Sequence, residues 1–216
     1  MHLIVFALII AIILIYFYTP RRINVSAGGR EWSVVESYEN NTEAAALMSR
    51  VHDRMIKLFR ALKEKYHIDE TEDVIEEEGH IHNVASDDVL TIVHTLLNNY
   101  NPDVIYENDP RYSSDTSYTI NKGSSMYVCL RKRDRPHMIE DEDLTFFVVL
   151  HEAAHIANYN GWGHDDRFWT VFKFLLHEAV LAGVYTPVDY EVHPQDYCGL
   201  RVFFQPLYDK SLPLLS

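Results

Sequence analysis

The stretch HEAAHIANYNGWGHDDRFW, residues 151–169, constrains this chain more than any other. In an α-helix, positions i and i+4 share one face about 6 Å apart along the axis, so His151 and His155 can grip one metal ion. Glu152 stands beside the first of them. In zinc peptidases a glutamate there does not bind the metal; it takes a proton from zinc-bound water, whose pKa the ion lowers to around 7. Two imidazoles make a weak site, so a third ligand is required. Gly161-Trp162-Gly163 can end the helix and turn the chain back toward its own face, which brings His164 over the same ion and leaves a fourth position for water. Asp165 and Glu178 compete for the third place, ranked in that order behind His164. Asp165 also suits a helix cap or an outer partner of a histidine, and Glu178 lies on the following helix.

The five-residue pattern is a weak signal by itself, and its surroundings strengthen it. DLTFFVVLHEAAHIANYN reads as a mostly apolar helix buried on most sides, where ionisable residues need partners or a metal. The expected set is therefore Glu152 as catalytic base, with His151, His155 and His164 holding Zn2+. The rival reading is a helix carrying partly exposed histidines. His80 and His82, in HIH beside the acidic run DETEDVIEEEGH, form a second and weaker candidate metal pair.

The rest of the chain predicts an α+β body. Leu47, Val51, Met55, Leu58, Phe59 and Leu62 recur at helical spacing over 42–66, with Asn40 or Asn41 as cap. Ser86 caps a second helix running to about Asn99, before Pro102. TSYTIN and SMYVCLR, separated by Lys122-Gly123-Ser124, read as a hairpin, and DVIYE (103–107) as a further strand. A charged loop covers 132–143. A last helix starts near Asp165 or Asp166 and ends at Gly183, and the tail from Tyr185 onward is expected to be mostly irregular.

LIVFALIIAIILIYFY, Leu3–Tyr18, carries no charge. As a helix it is roughly 24 Å long, at the short end for a bilayer span, with Pro20 ending it and Arg21 and Arg22 just beyond. The expected organisation is a transmembrane anchor over 1–22, a linker over 23–40 containing Gly28 and Gly29, and the folded domain over 41–216. The arginines place the body on the cytoplasmic side of a single-pass span in a viral or host-cell membrane. A cleaved signal peptide is the alternative, disfavoured by the lack of a basic residue before the apolar run.

The formal charge of −13 over 216 residues argues against broad binding to nucleic-acid phosphate, although CLRKRDR around Arg131–Arg135 is locally basic. Cys129 and Cys198 are too few for a disulfide scaffold or a four-cysteine zinc site. They are buried thiols or one bridge.

HEAAH…GHDDRFW resembles the zincin-like metallopeptidases of the WLM and SprT-like kind. TSYTINKG, CLR, LHEAAH, GHDDRFW, GVYTPVDY and YCG together resemble a set encoded by large DNA viruses of algae and amoebae, over about residues 84–200. The resemblance implies a zincin-like fold, with a small sheet packed on the metal-bearing helix and an edge strand above the cleft; MYVCLR is the candidate for that strand. It also implies an oxyanion-stabilising side chain, for which Tyr185 and Tyr190 are candidates unless they are core residues. Members acting on DNA-bound proteins carry basic segments, and the acidic balance here departs from that pattern. The function expected is a membrane-anchored zinc metallopeptidase cutting a protein or peptide, with no nucleic-acid partner. The alternative is a non-catalytic membrane or virion protein that keeps zinc for structure.

Overall fold

The computed structural model describes residues 5–6, 20–68 and 86–215. Four helices are described beyond residue 20: α1 (Asn41–Lys65), α2 (Asp87–Asn99), α3 (Glu142–Ala157) and α4 (Asp166–Leu181). Strands β1 (Arg22–Ala27), β2 (Arg30–Val35), β3 (Ile105–Glu107), β4 (Tyr118–Ile120) and β5 (Ser125–Val128) form one sheet, ordered β1-β2-β3-β5-β4. The outer pairs β1/β2 and β4/β5 are antiparallel, and β3 runs parallel to both of its neighbours. A separate hairpin, β6 (Gln195–Tyr197) and β7 (Leu200–Val202), interrupts the tail. The α+β class read from the sequence matches this arrangement.

The helices form where the apolar period dictates. α1 buries Ala44, Leu47, Met48, Val51, Met55, Leu58 and Leu62, a stripe at spacings of three and four that packs on β1 and β2. Its capping differs from expectation: Asn40 precedes the helix but makes no side-chain cap bond, because its Oδ1 accepts from the Arg131 guanidinium. Ser86 does cap α2, accepting from the Val89 N–H at 3.4 Å. α3 has few exposed positions; Phe146, Leu150, Ala153, Ala154 and Ala157 are fully buried. It is the central helix, touching α1, α2, α4 and β4. Asp141 starts it by accepting from the Leu144 N–H at 3.0 Å.

The segment expected to link an anchor to the body is part of the sheet. Gly28 and Gly29, at φ +58° and +79°, make the two-residue turn between β1 and β2, and a Cβ on Gly28 would lie 1.9 Å from the Ser49 Oγ. Arg22 opens β1, and its Nε donates to the Glu107 carbonyl at 3.0 Å. The single-pass membrane placement is likewise corrected: among the described residues no helix is long and apolar enough to cross a membrane. Apart from Val5 and Phe6, the run Leu3–Tyr18 lies outside the described residues, as do the acidic segment and His80 and His82.

Cys129 and Cys198 are joined in a disulfide. It ties the end of β5 to the β6–β7 hairpin, and both residues are buried.

Candidate metal centre

α3 presents His151 and His155 on one face one turn apart, as the i, i+4 spacing requires. The helix ends at Ala157, and the loop Asn158–Asp165 carries the chain back across that face. Two glycines permit the return. Gly163 has φ +66°, and Gly161 packs so closely on Asn158 that an added Cβ would lie 2.2 Å from its Nδ2. His164 arrives with its Nε2 2.9 Å from that of His151 and 3.2 Å from that of His155. Asp165 then caps α4, accepting from the Phe168 N–H at 2.7 Å.

The three rings share an aromatic floor. The Phe168 ring centre lies 4.8 Å from that of His151, 4.3 Å from His155 and 4.7 Å from His164. Burial holds the His151 pKa down to about 3 and that of His155 down to about 4, with neighbouring imidazoles adding to both; burial also lowers His164. The rings are thus neutral at pH 7, the state in which imidazole binds metal. A tetrahedral zinc ion about 2.0–2.1 Å from each nitrogen sets its ligands about 3.3 Å apart. The observed separations of 2.9 and 3.2 Å fall at and below that spacing, and the ligand atoms of all three residues lie within 4.8 Å of one another, so the three converge on one place.

Glu152 lines the same side of the site and is 3% exposed. Burial pushes its carboxyl up to about 7, opposed by the Thr119 hydroxyl, which donates to Oε2 at 2.9 Å. Thr119 belongs to β4, the edge strand. A cleft of about 550 Å³ opens between β4, the preceding loop 114–117 and the histidines, with Trp162 and Leu200 also on its walls. Buried Asn108 shapes that loop, its Nδ2 donating to the carbonyls of Asp115 and Thr116, each at 2.8 Å.

The structure brings together His151, His155, His164 and Glu152. It leaves out the competing ligands. Asp165 is a helix cap, and Glu178 is buried against Lys65 Nζ at 2.7 Å. Tyr185 and Tyr190 are core residues around Phe147, with ring centres 6.3 and 4.9 Å from it. The strand at the cleft is β4, not the MYVCLR strand, because β5 is enclosed between β3 and β4. Thr119, Lys122 and Leu200 escaped the sequence reading. The first two lie in the hairpin already recognised, where alternation across β4 was a usable signal; nothing local marked Leu200.

No protein-family model matches the chain. It is 38% identical over 98 residues to the uncharacterized protein R325 of Acanthamoeba polyphaga mimivirus, covering 45% of this chain and 48% of that one. It is 36% identical over 96 residues to the uncharacterized protein 042R of Invertebrate iridescent virus 3, covering 44% and 57%. The chain spans about half the length of the curated relatives it matches. Among solved structures, the crystal structure of Wss1 from Saccharomyces cerevisiae matches with a TM-score of 0.45 at 16% identity, over 69% of this chain and 87% of that chain.

Proposed function

We propose that this chain is a zinc-dependent metallopeptidase of the zincin-like kind that hydrolyses peptide bonds in a protein or peptide substrate. The observation that carries the reading is the convergence of three neutral imidazole nitrogens in one cleft with a buried, hydrogen-bonded glutamate beside the first. His151, His155 and His164 would hold the ion, which when bound polarises the scissile carbonyl and acidifies water. Glu152 serves as general base. Its raised pKa brings its proton affinity close to neutral pH, where a base both accepts and releases protons readily. Thr119 fixes the carboxylate from the opposite wall. Among the described residues β4 pairs with β5 along one side only, so its other side offers backbone groups to an extended substrate chain.

The test is zinc content and peptide cleavage in the same preparations. The wild-type chain is expected to bind one zinc, His155→Ala and His164→Ala to lose it, and Glu152→Gln to keep it while losing cleavage of a peptide library. Zinc bound equally by all four proteins sinks the ligand assignment. Zinc bound with no library peptide cut, by wild type or variant, favours a non-catalytic zinc protein.

A further inference from the structure

Lys122 sits on the turn between β4 and β5 with φ +58°, between Asn121 at +45° and Gly123 at +109°. Left-handed backbone disfavours a residue with a Cβ, and asparagine or glycine fills such places more readily. A long cationic side chain held there calls for a reason. The turn itself is firmly seated. A Cβ on Gly123 would lie 2.6 Å from the Asn99 carbonyl oxygen and 3.5 Å from the Ile156 Cδ1, so the turn is wedged against the ends of α2 and α3.

From that footing the Lys122 Nζ donates to the carbonyl oxygens of Asn158 and Gly161, and lies 5.2 Å from the centre of the Trp162 ring. Asn158 is the C-cap of α3, and Gly161 and Trp162 lie in the loop that delivers His164. The last carbonyls of a helix lack intrahelical partners and carry its negative pole, so an ammonium group there is favoured twice over. The clasp spans the whole reversal, with Asn158 on one side and Gly161 on the other. Gly161 in turn rests on the Asn158 side chain, whose Nδ2 approaches the Asp165 cap at 3.4 Å. Only Trp162 and Gly163, at φ +66°, separate Gly161 from His164.

We propose that Lys122 is a positioning residue for His164. By clasping the Asn158 and Gly161 carbonyls to the β4–β5 turn, it fixes the loop that sets the third imidazole over the other two. This rests on the reading of the three histidines as zinc ligands. Lys122 donates to none of the histidines, and its hydrogen bonds reach His164 through the loop backbone. The same clasp joins the edge strand to the metal-bearing loop, so the two walls of the cleft hold a set distance.

The test uses the full chain and Lys122→Asn, a residue at ease with the left-handed turn, so that loss of the clasp is separated from damage to the hairpin. Zinc affinity is measured by competition with a chromogenic chelator. Lys122→Asn is expected to weaken zinc about tenfold, the lower end of what loss of an outer partner of a metal site costs. Lys122→Arg, which keeps a donating cation on the turn, should stay nearer the wild-type affinity. Wild-type affinity in Lys122→Asn, or a loss in Lys122→Arg as large as that in Lys122→Asn, overturns the proposal. Hydrogen exchange of the metal-free proteins is a second readout: amides 160–164 should exchange faster in Lys122→Asn, and unchanged exchange also overturns it. A wild-type chain that takes up no zinc defeats the metal reading instead, and the exchange comparison then decides the role of Lys122 in holding the loop.

Discussion

Reducing the disulfide between Cys129 and Cys198 should destabilise the fold by a calculable amount. The two residues are 69 apart in sequence, and their bond closes a loop that contains α3, α4 and His151, His155 and His164. Restricting a loop of that length in the unfolded chain is worth about 4 kcal/mol at 25 °C. For a domain of this size, 1 kcal/mol moves the melting temperature by about 2–4 °C, so reduction should lower it by about 8–16 °C. The native contacts around the bridge do not depend on it. The Tyr197 hydroxyl donates to the Cys129 carbonyl at 2.6 Å, and the Cys198 N–H donates to Glu140 Oε1 at 2.8 Å. The reduced chain should therefore refold to the same structure, with the β6–β7 hairpin and its cleft residue Leu200 held by hydrogen bonds and packing alone. Because both cysteines are buried, the bond is reduced in the unfolded chain, which is then refolded in reductant and compared with the oxidised protein by scanning calorimetry. A reduced chain that melts within about 3 °C of the oxidised one refutes the loop argument and means that the unfolded state is already restricted by other contacts.

Two further outcomes follow from buried charge. In the metal-free protein His151 and His155 are held at about 3 and about 4, against 6.5 unfolded, so their contribution is complete above pH 6.5 and is lost as pH falls toward those values; Glu152, raised to about 7 from 4.5, gives one opposing slope against their two. Chelator-treated protein should thus melt at progressively lower temperature from pH 6.5 to 4.5, and a flat or rising melting temperature over that range refutes the burial of neutral imidazoles. Arg131 and Glu107 are each 1% exposed and meet at 2.6 Å, and burial lifts the Glu107 pKa while Arg131 lowers it. Arg131→Met strands that carboxyl and should cost about 3–5 kcal/mol in urea unfolding, with Glu107→Gln added to it recovering part; a single-variant loss under about 1 kcal/mol would show the pair to be dispensable.

The elements that sequence made legible are those whose determinants are local. The α1 stripe, the Ser86 cap and the hairpin around Lys122–Ser124 are each decided within a few residues, whereas α3 stops at Ala157, short of the expected break at Gly161. The β1–β2 hairpin was legible too and was passed over. Ile23, Val25 and Ala27 alternate with more exposed neighbours, and a Gly-Gly pair flanked by alternating strands is a hairpin signal, but next to a long apolar run it reads as a linker. The position of β5 was not legible. Its place inside the sheet is set by parallel pairing with β3, Ile105 to Met126, a contact that no local pattern announces. The disulfide depends on the same kind of distant meeting.

The candidate centre divides along the same line, and the division explains which of its residues were missed. His151 and His155 are placed by helix phase and His164 by a turn of eight residues, so spacing alone could suggest them. Thr119 meets Glu152 only because β4 pairs with β5 in one register, Thr119 opposite Met126 and Tyr118 opposite Tyr127. In that register Tyr118 stacks on Tyr127 at 4.7 Å, while its neighbour Thr119 reaches the glutamate. Side chains alternate across a strand, so a slip of one residue would turn the threonine hydroxyl away and leave a carboxyl that is 3% exposed without that donor. The turn that Lys122 occupies fixes the same register, since Gly123 and Ser124 both donate to the Ile120 carbonyl. One short turn therefore sets where the base finds its hydrogen bond and where the His164 loop is clasped, two demands that explain a lysine in left-handed backbone better than the turn alone does.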